Sequence, residues 1–368
     1  MKPKKHIIDV PVYEPGKPIE EVKREYQLDE VIKLASNENP FGPSPLVQQA
    51  MQEEFSELAV YPDGYAAELR EAVAHFYHID QNQLIFGNGS DEIVQFICRT
   101  FLSPDTNTVM ATPSFAEYKI NALIEGAEII EVPLKDGVHD LEAMSKRVNQ
   151  RTRVVWVCNP NNPSGTYVPH DALANLLESL PSDVLVVVDE AYYEYVTAKD
   201  YPDSLALLDK HSNVLILRTF SKVYGLAALR IGYGIGHPDL INHLNKVRAP
   251  FNTSRVAQKA AIAALRDQAY MRQCVQRNRA GKEQFYAAFQ QLGLSYFPTE
   301  ANFIMVDVNR PAHQFFEALL KQGIIVRSGE ALGYPTSLRI TIGTEAQNER
   351  IIHVLERMVK NVSSLVSD

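Results

Sequence analysis

The chain has 368 residues, 45% of them hydrophobic and 22% charged, a balance that excludes a disordered or fibrous protein. Its 36 basic and 45 acidic residues leave a net charge of -9, without the basic stripe that binding to a phosphate backbone needs, so nucleic acid is not an expected partner. Cys98, Cys158 and Cys274 are too scattered for a disulfide framework or a zinc site, and no apolar run reaches the length of a bilayer crossing or a secretory leader; a reduced, cytoplasmic protein with no membrane partner is expected.

The first forty residues, rich in Pro and charge, read as an arm with one short amphipathic piece around residues 19–26. Regular patterning begins near Leu46. A helix over 68–77 leads to a short strand at 84–86, after which Gly87-Asn-Gly89-Ser90 opens a helix that runs to Phe101, with Ser90 and Asp91 as cap residues. Strands are expected at 108–111 and 128–132 on either side of a helix over 115–125. Three β-branched runs follow, at 154–158, 184–188 and 214–217, with a helix over 171–180 between the first two. Continuous apolar runs suit strands buried on both faces, so the spacing predicts an α/β fold with a mostly parallel central sheet. Beyond Pro250 a long helix over 256–292 precedes a smaller α/β unit, with strands at 302–308, 324–327 and 338–342 and helices at 311–321 and 345–362. The expected domains are an arm (1–45), a large domain (46–255) and a small domain (256–368) that begins with a bridging helix.

Each of the three central strands is followed at once by polar residues: Asn159 to Gly165, Asp189 to Tyr192, and Arg218 to Lys222. Open parallel sheets bind ligands at the carboxyl ends of their strands, which sends Asn162, Asp189 and Lys222 toward one crevice. GxGxxG and GxSxG both fail at Glu92, and neither a Walker motif nor HExxH occurs. His75 and His78 lie three apart on a helix with no third ligand nearby, so no metal site is read. The Gly87–Ser90 turn is either a tight helix cap or a phosphate cradle at a helix N-terminus. A lysine directly after a buried strand, flanked by hydroxyls and followed eight positions on by Arg230, suits Schiff-base chemistry beside a bound anion. Asp189, costly to bury alone, is read as the partner of a cation in the same crevice.

In this order and spacing, Asn162-Pro-Ser-Gly165, Asp189-Glu-Ala-Tyr192 and Ser221-Lys222 through Arg230 resemble the fold-type I pyridoxal-phosphate aminotransferases, over nearly the whole chain. Leu34 to Pro43, Tyr61-Pro-Asp-Gly64 and Leu338 to Gly343 narrow the resemblance to the histidinol-phosphate branch. Ala228 departs from the family pattern, where Gly is common, by one methyl. The resemblance implies the three-layer fold of that family and pyridoxal 5′-phosphate as cofactor. It implies that Lys222 forms the Schiff base and moves the proton at the substrate Cα. Asp189 would pair with the ring nitrogen, while Tyr192 and Asn162 would hydrogen-bond the phenolic oxygen. Ser90, Asp91, Thr219, Ser221 and Arg230 would hold the phosphate, and Phe115 and Ala191 would cover the two ring faces. Tyr61 would reach the cofactor phosphate of a neighbouring subunit, making a homodimer with shared sites.

For the substrate, Arg339 and Arg327 resemble anion-binding arginines, and Tyr13 on the arm would add a hydroxyl; the planar guanidinium fork suits phosphate and carboxylate alike. The expected partners are a small-molecule amino donor and a 2-oxo acid. The implied reaction is transamination of histidinol phosphate with 2-oxoglutarate, a step of histidine biosynthesis. An aromatic amino-acid aminotransferase or a phosphothreonine decarboxylase of the same fold shares nearly every motif.

Overall fold

A computed structural model describes residues 1–8, 10, 12 and 17–363. The arm contributes a helix, α1 (Ile19–Tyr26), and a two-residue strand, β1 (Ile32–Lys33). Next come α2 (Pro45–Glu53), α3 (Ala67–Tyr77), β2 (Leu84–Gly87), α4 (Ser90–Phe101), β3 (Asn107–Thr112), α5 (Ala116–Ile124), β4 (Glu128–Pro133) and α6 (Leu141–Ser145). The remainder of this half is β5 (Thr152–Cys158), α7 (His170–Ser179), β6 (Leu185–Asp189), α8 (Ser204–Leu208), β7 (Val214–Thr219), β8 (Gly232–Gly236) and α9 (Pro238–Asn245).

β2 to β8 form one sheet in the order β2-β8-β7-β6-β5-β3-β4. β8 alone runs against its neighbours, so the sheet is mostly parallel. Side chains of a strand alternate between faces, and both faces here are packed. Val155, Val157, Val186, Val188 and Ile216 belong to one core; Val154, Trp156, Leu185, Val187 and Leu217 belong to the opposite one. That double burial is why the three strands read as unbroken apolar runs.

β8 escaped the sequence reading. Its alternating glycines, Gly232-Tyr-Gly-Ile-Gly236, look like loop because glycine is depleted in strands. The expected cap residues are also corrected: Gly89, at φ +82°, is the N-cap of α4, and Ser90 is its first helical residue, with no side-chain cap bond.

The long helix expected over 256–292 is two helices, α10 (Arg255–Arg266) and α11 (Gln268–Leu292). Asp267 breaks them apart by leaving helical geometry and accepting the Tyr270 N–H on its side chain. α10 buries Ala257, Ala260, Ala261 and Leu265 in the large core beside Val47 of α2 and Leu69 and Val73 of α3. α11 touches both cores: Cys274 sits in the large core, whereas Phe285 and Phe289 sit in the small one.

The second unit holds β9 (Ser295–Tyr296), β10 (Phe303–Asp307), α12 (Ala312–Lys321), β11 (Ile324–Ile325), β12 (Arg327–Ser328), β13 (Ser337–Thr341) and α13 (Glu345–Ser363). Its sheet, β12-β13-β10-β9, is antiparallel. The strand expected over 324–327 is split: β11 pairs in parallel with β1 of the arm, and β12 turns to β13. Consequently the arm is part of this unit's packing, with Leu34 in its core and Val22 and Ala35 against Leu320 and Ile325.

Candidate active site

Burying both faces of a parallel sheet leaves only its strand ends open, and β5, β6 and β7 end side by side: Cys158 lies opposite Asp189, and Asp189 opposite Leu217. A cleft of about 690 Å³ opens over these ends. Every expected site residue lines it except two. Tyr61 is 75% exposed and stacks on Phe251 at 4.8 Å outside the cleft, while Tyr13 lies outside the described residues.

Asp189 is the last residue of β6 and only 4% exposed. One carboxylate oxygen accepts from the Tyr118 hydroxyl at 2.5 Å and the other from the Ala191 N–H at 3.2 Å. Burial pushes the carboxyl up to about 6, against the opposing pull of the Tyr118 bond. Tyr118 in turn stacks on Trp156 at 4.6 Å and meets Phe115 edge-on at 5.4 Å. Lys222 donates to the Ser36 carbonyl at 3.4 Å. Desolvation inside the cleft, followed by the Arg339 guanidinium, brings its ammonium down to about 8. The Tyr192 hydroxyl accepts from the Asn37 side chain at 3.0 Å, and burial raises its phenol above the ordinary range.

At the β2–α4 turn the backbone itself makes the wall. A Cβ on Gly89 would lie 2.5 Å from Arg230 Nη2, and one on Gly232 would lie 2.5 Å from the Ser90 amide nitrogen, so only glycine lets β8 and the Arg230 fork approach the first turn of α4. Arg230 donates to Asp91 at 3.1 Å and Ser221 at 3.4 Å, and the Thr219 hydroxyl accepts the Ser221 N–H at 3.1 Å. A helix N-terminus, two hydroxyls and a guanidinium form an anion cup. Across the cleft, Arg339 on β13, 8% exposed, donates to the Asn162 side chain at 2.6 Å and to the Ala35 carbonyl at 2.7 Å. Arg327 on β12 pairs directly with Arg339 in the antiparallel register.

The model of class I and II aminotransferases matches residues 29–355. The chain belongs to the class I and II aminotransferase family. Within that family it is 59% identical to the histidinol-phosphate aminotransferase of Geobacillus sp. strain WCH70, over 98% of this chain and 99% of that one. It is 56% identical to the Bacillus subtilis strain 168 enzyme of the same name, over 98% and 100%. The crystal structure of histidinol-phosphate aminotransferase from Sinorhizobium meliloti in complex with pyridoxal-5'-phosphate superposes with a TM-score of 0.90, at 27% identity and 97% coverage of both chains. Aminotransferases of this family use pyridoxal 5′-phosphate, and the cleft fits that group: one lysine of lowered pKa, one buried carboxylate, and an anion cup whose glycines leave room at the backbone.

Several lining residues were not anticipated. Asn37 lies in a stretch already noticed in the sequence but given no role, and Ser36 and Cys158 line the cleft without a motif to announce them. Tyr118, three positions after Phe115, is indistinguishable from a core aromatic until its hydroxyl is seen on Asp189.

Proposed function

We propose that this aminotransferase moves an amino group reversibly between L-histidinol phosphate and 2-oxoglutarate, giving imidazole acetol phosphate and L-glutamate in histidine biosynthesis. The observation that carries the reading is 59% identity, end to end, with an enzyme of that name. When bound, pyridoxal 5′-phosphate supplies an electron sink for the charge left at the substrate Cα. Lys222 would hold the cofactor covalently and then carry the proton at Cα, which needs a free amine, and its lowered pKa supports that role near neutrality. Asp189 would face the ring nitrogen and keep it protonated. Tyr192 and Asn162 would hold the phenolic oxygen, Phe115 and Ala191 the ring faces, and Ser90, Asp91, Thr219, Ser221 and Arg230 the phosphate. Arg339, with Arg327, would bind the anionic end of the substrate, a phosphate from the amino donor and a carboxylate from the oxo acid in turn.

The active unit is read as a homodimer in which Tyr61 serves the partner's cofactor phosphate. In support, Tyr61 is exposed and outside its own cleft, in a surface region that also exposes Phe55, Leu58, Val60, Tyr65 and Phe251. The test is a comparison of kcat/KM for histidinol phosphate, phenylalanine and tyrosine as amino donors. Preference for histidinol phosphate by orders of magnitude upholds the reading; preference for an aromatic amino acid overturns it, as does carbon dioxide release from phosphothreonine.

A further inference from the structure

Asp189 is followed by a second acid that the chemistry above does not use. Because side chains alternate along a strand, Arg218, one residue before Thr219 on β7, leaves the sheet on the face away from the cleft, and Glu190, one residue past the end of β6, turns to meet it there. The two meet there completely buried, at 0% and 1% exposure. Arg218 Nε and Nη2 both donate to Glu190 Oε2, at 2.9 and 2.8 Å. The Ser204 hydroxyl donates to Oε1 at 2.6 Å. The Tyr201 hydroxyl lies 3.5 Å from Oε1 and donates to the Asn159 carbonyl at 2.5 Å. Arg218 also lies over the ring of Tyr193, the neighbour of Tyr192, at 3.6 Å and over Tyr77 at 4.8 Å.

A buried ion pair is a weak source of stability, since apolar residues of similar volume hold a fold as well or better. The surrounding positions of this face, Val188 and Ile216, are apolar and pack without difficulty. What a charged fork adds is direction: two N–H bonds converging on one oxygen fix the lateral position of the strands that carry them. The location matters because the β6–β7 ladder ends here. Its last register pair is Asp189 with Leu217, followed only by the Glu190 N–H to the Leu217 carbonyl at 2.8 Å. Beyond that point backbone pairing no longer sets the distance between Asp189 and the Lys222 loop. Through Tyr201 the same cluster also reaches the end of β5, whose Asn159 N–H bonds the Asp189 carbonyl at 2.9 Å.

We propose that Glu190 and Arg218 are positioning residues for transamination, a buried ion pair behind the sheet that holds Asp189, Tyr192 and Lys222 in register across the open ends of β5, β6 and β7. The proposal rests on the roles given to Asp189 and Lys222 above. Its test uses the cofactor-loaded enzyme and three variants: Glu190→Leu with Arg218→Met, which removes both charges at once; Tyr201→Phe, which removes one peripheral hydroxyl; and Asp189→Asn as reference. Four readouts are taken: kcat, KM, the thermal midpoint, and the pH midpoint of the absorbance of the lysine-bound cofactor, which reports the charge surroundings of Lys222 and Asp189. In the double variant kcat falls by up to about 100-fold, the effect of a misplacement near 1 Å, while KM and the thermal midpoint stay near wild type and the absorbance midpoint moves. Tyr201→Phe moves kcat and the absorbance midpoint the same way, with a fall of about threefold. A double variant that folds with wild-type kcat and absorbance midpoint overturns the proposal. If the double variant does not fold, an unchanged kcat and absorbance midpoint in Tyr201→Phe overturns it equally. An absorbance midpoint unmoved in Asp189→Asn refutes the Asp189 assignment itself, and the proposal falls with it.

Discussion

In the cofactor-stripped protein Asp189→Asn, which loses the acceptor of the Ala191 N–H, is expected to gain stability relative to wild type as pH rises, while the same change destroys activity. Burial raises the carboxyl from its ordinary 3.8 to about 6. Each pKa unit corresponds to about 1.4 kcal/mol, so the folded state loses about 3 kcal/mol to this group when it ionises. The direction follows from which state binds the proton more tightly. A group whose folded pKa exceeds its unfolded one lends stability below the unfolded value, here 3.8, and that stability disappears as pH rises through about 6. Asparagine keeps an oxygen for the Tyr118 hydroxyl but never ionises. The difference in unfolding free energy, variant minus wild type, should therefore rise with pH, with roughly half of the 3 kcal/mol appearing between pH 5 and pH 8. Urea titrations of both stripped proteins across that range measure it directly. With cofactor bound, the same change removes the charge opposite the ring nitrogen, and loss of about 4 kcal/mol of transition-state stabilisation would slow turnover about a thousandfold. A stability difference that is flat in pH would refute the buried, raised carboxyl, and near-normal turnover would mean that Asp189 does not face the ring.

Three further outcomes are expected. Borohydride reduction of the loaded enzyme should fix the pyridoxyl group to the peptide containing Lys222, and a label on any other lysine refutes the assignment. Gly232→Ala should weaken cofactor retention and lower stability by about 1 to 3 kcal/mol, since its methyl meets the Ser90 amide nitrogen at 2.5 Å in backbone that has little room to move; equilibrium dialysis and urea unfolding check the two effects. Mixing Tyr61→Ala with Lys222→Ala chains should restore part of the activity that each lacks, because one of the two sites in a mixed dimer has both residues; demonstrated mixed dimers without recovery would place Tyr61 out of its partner's site.

What the sequence discloses about this enzyme follows from where its physics is local. The runs at 154–158, 184–188 and 214–217 were legible because burial on both faces removes polar residues from the strand, and the first polar residues after each run then mark the cleft. β8 was hidden because its glycines serve contacts with α4 and β7 that belong to other parts of the chain. The break between α10 and α11 had a local sign, an aspartate able to cap the second helix, but helical periodicity runs on through it. The partners of the catalytic candidates were least accessible: Tyr118 reaches Asp189 across 71 positions and Asn37 reaches Tyr192 across 155, and neither residue type nor spacing signals such a bond.

The arm threads this cleft in a way that bears on how the enzyme is made. Ala35 and Asn37 are bonded to Arg339 and Thr341, partners 304 positions later in the chain. At a synthesis rate of about 5 to 20 residues per second, the arm emerges from the ribosome roughly 15 to 60 seconds before the strand that completes its side of the pocket. Only for the last part of that interval, roughly 5 to 20 seconds between the end of β8 at Gly236 and the start of β13 at Ser337, does the central sheet have all its strands while the lysine's wall is unfinished. A chain cut short before β13 therefore lacks Arg339 and Thr341, the partners that hold Ala35 and Asn37 of the arm against the cleft.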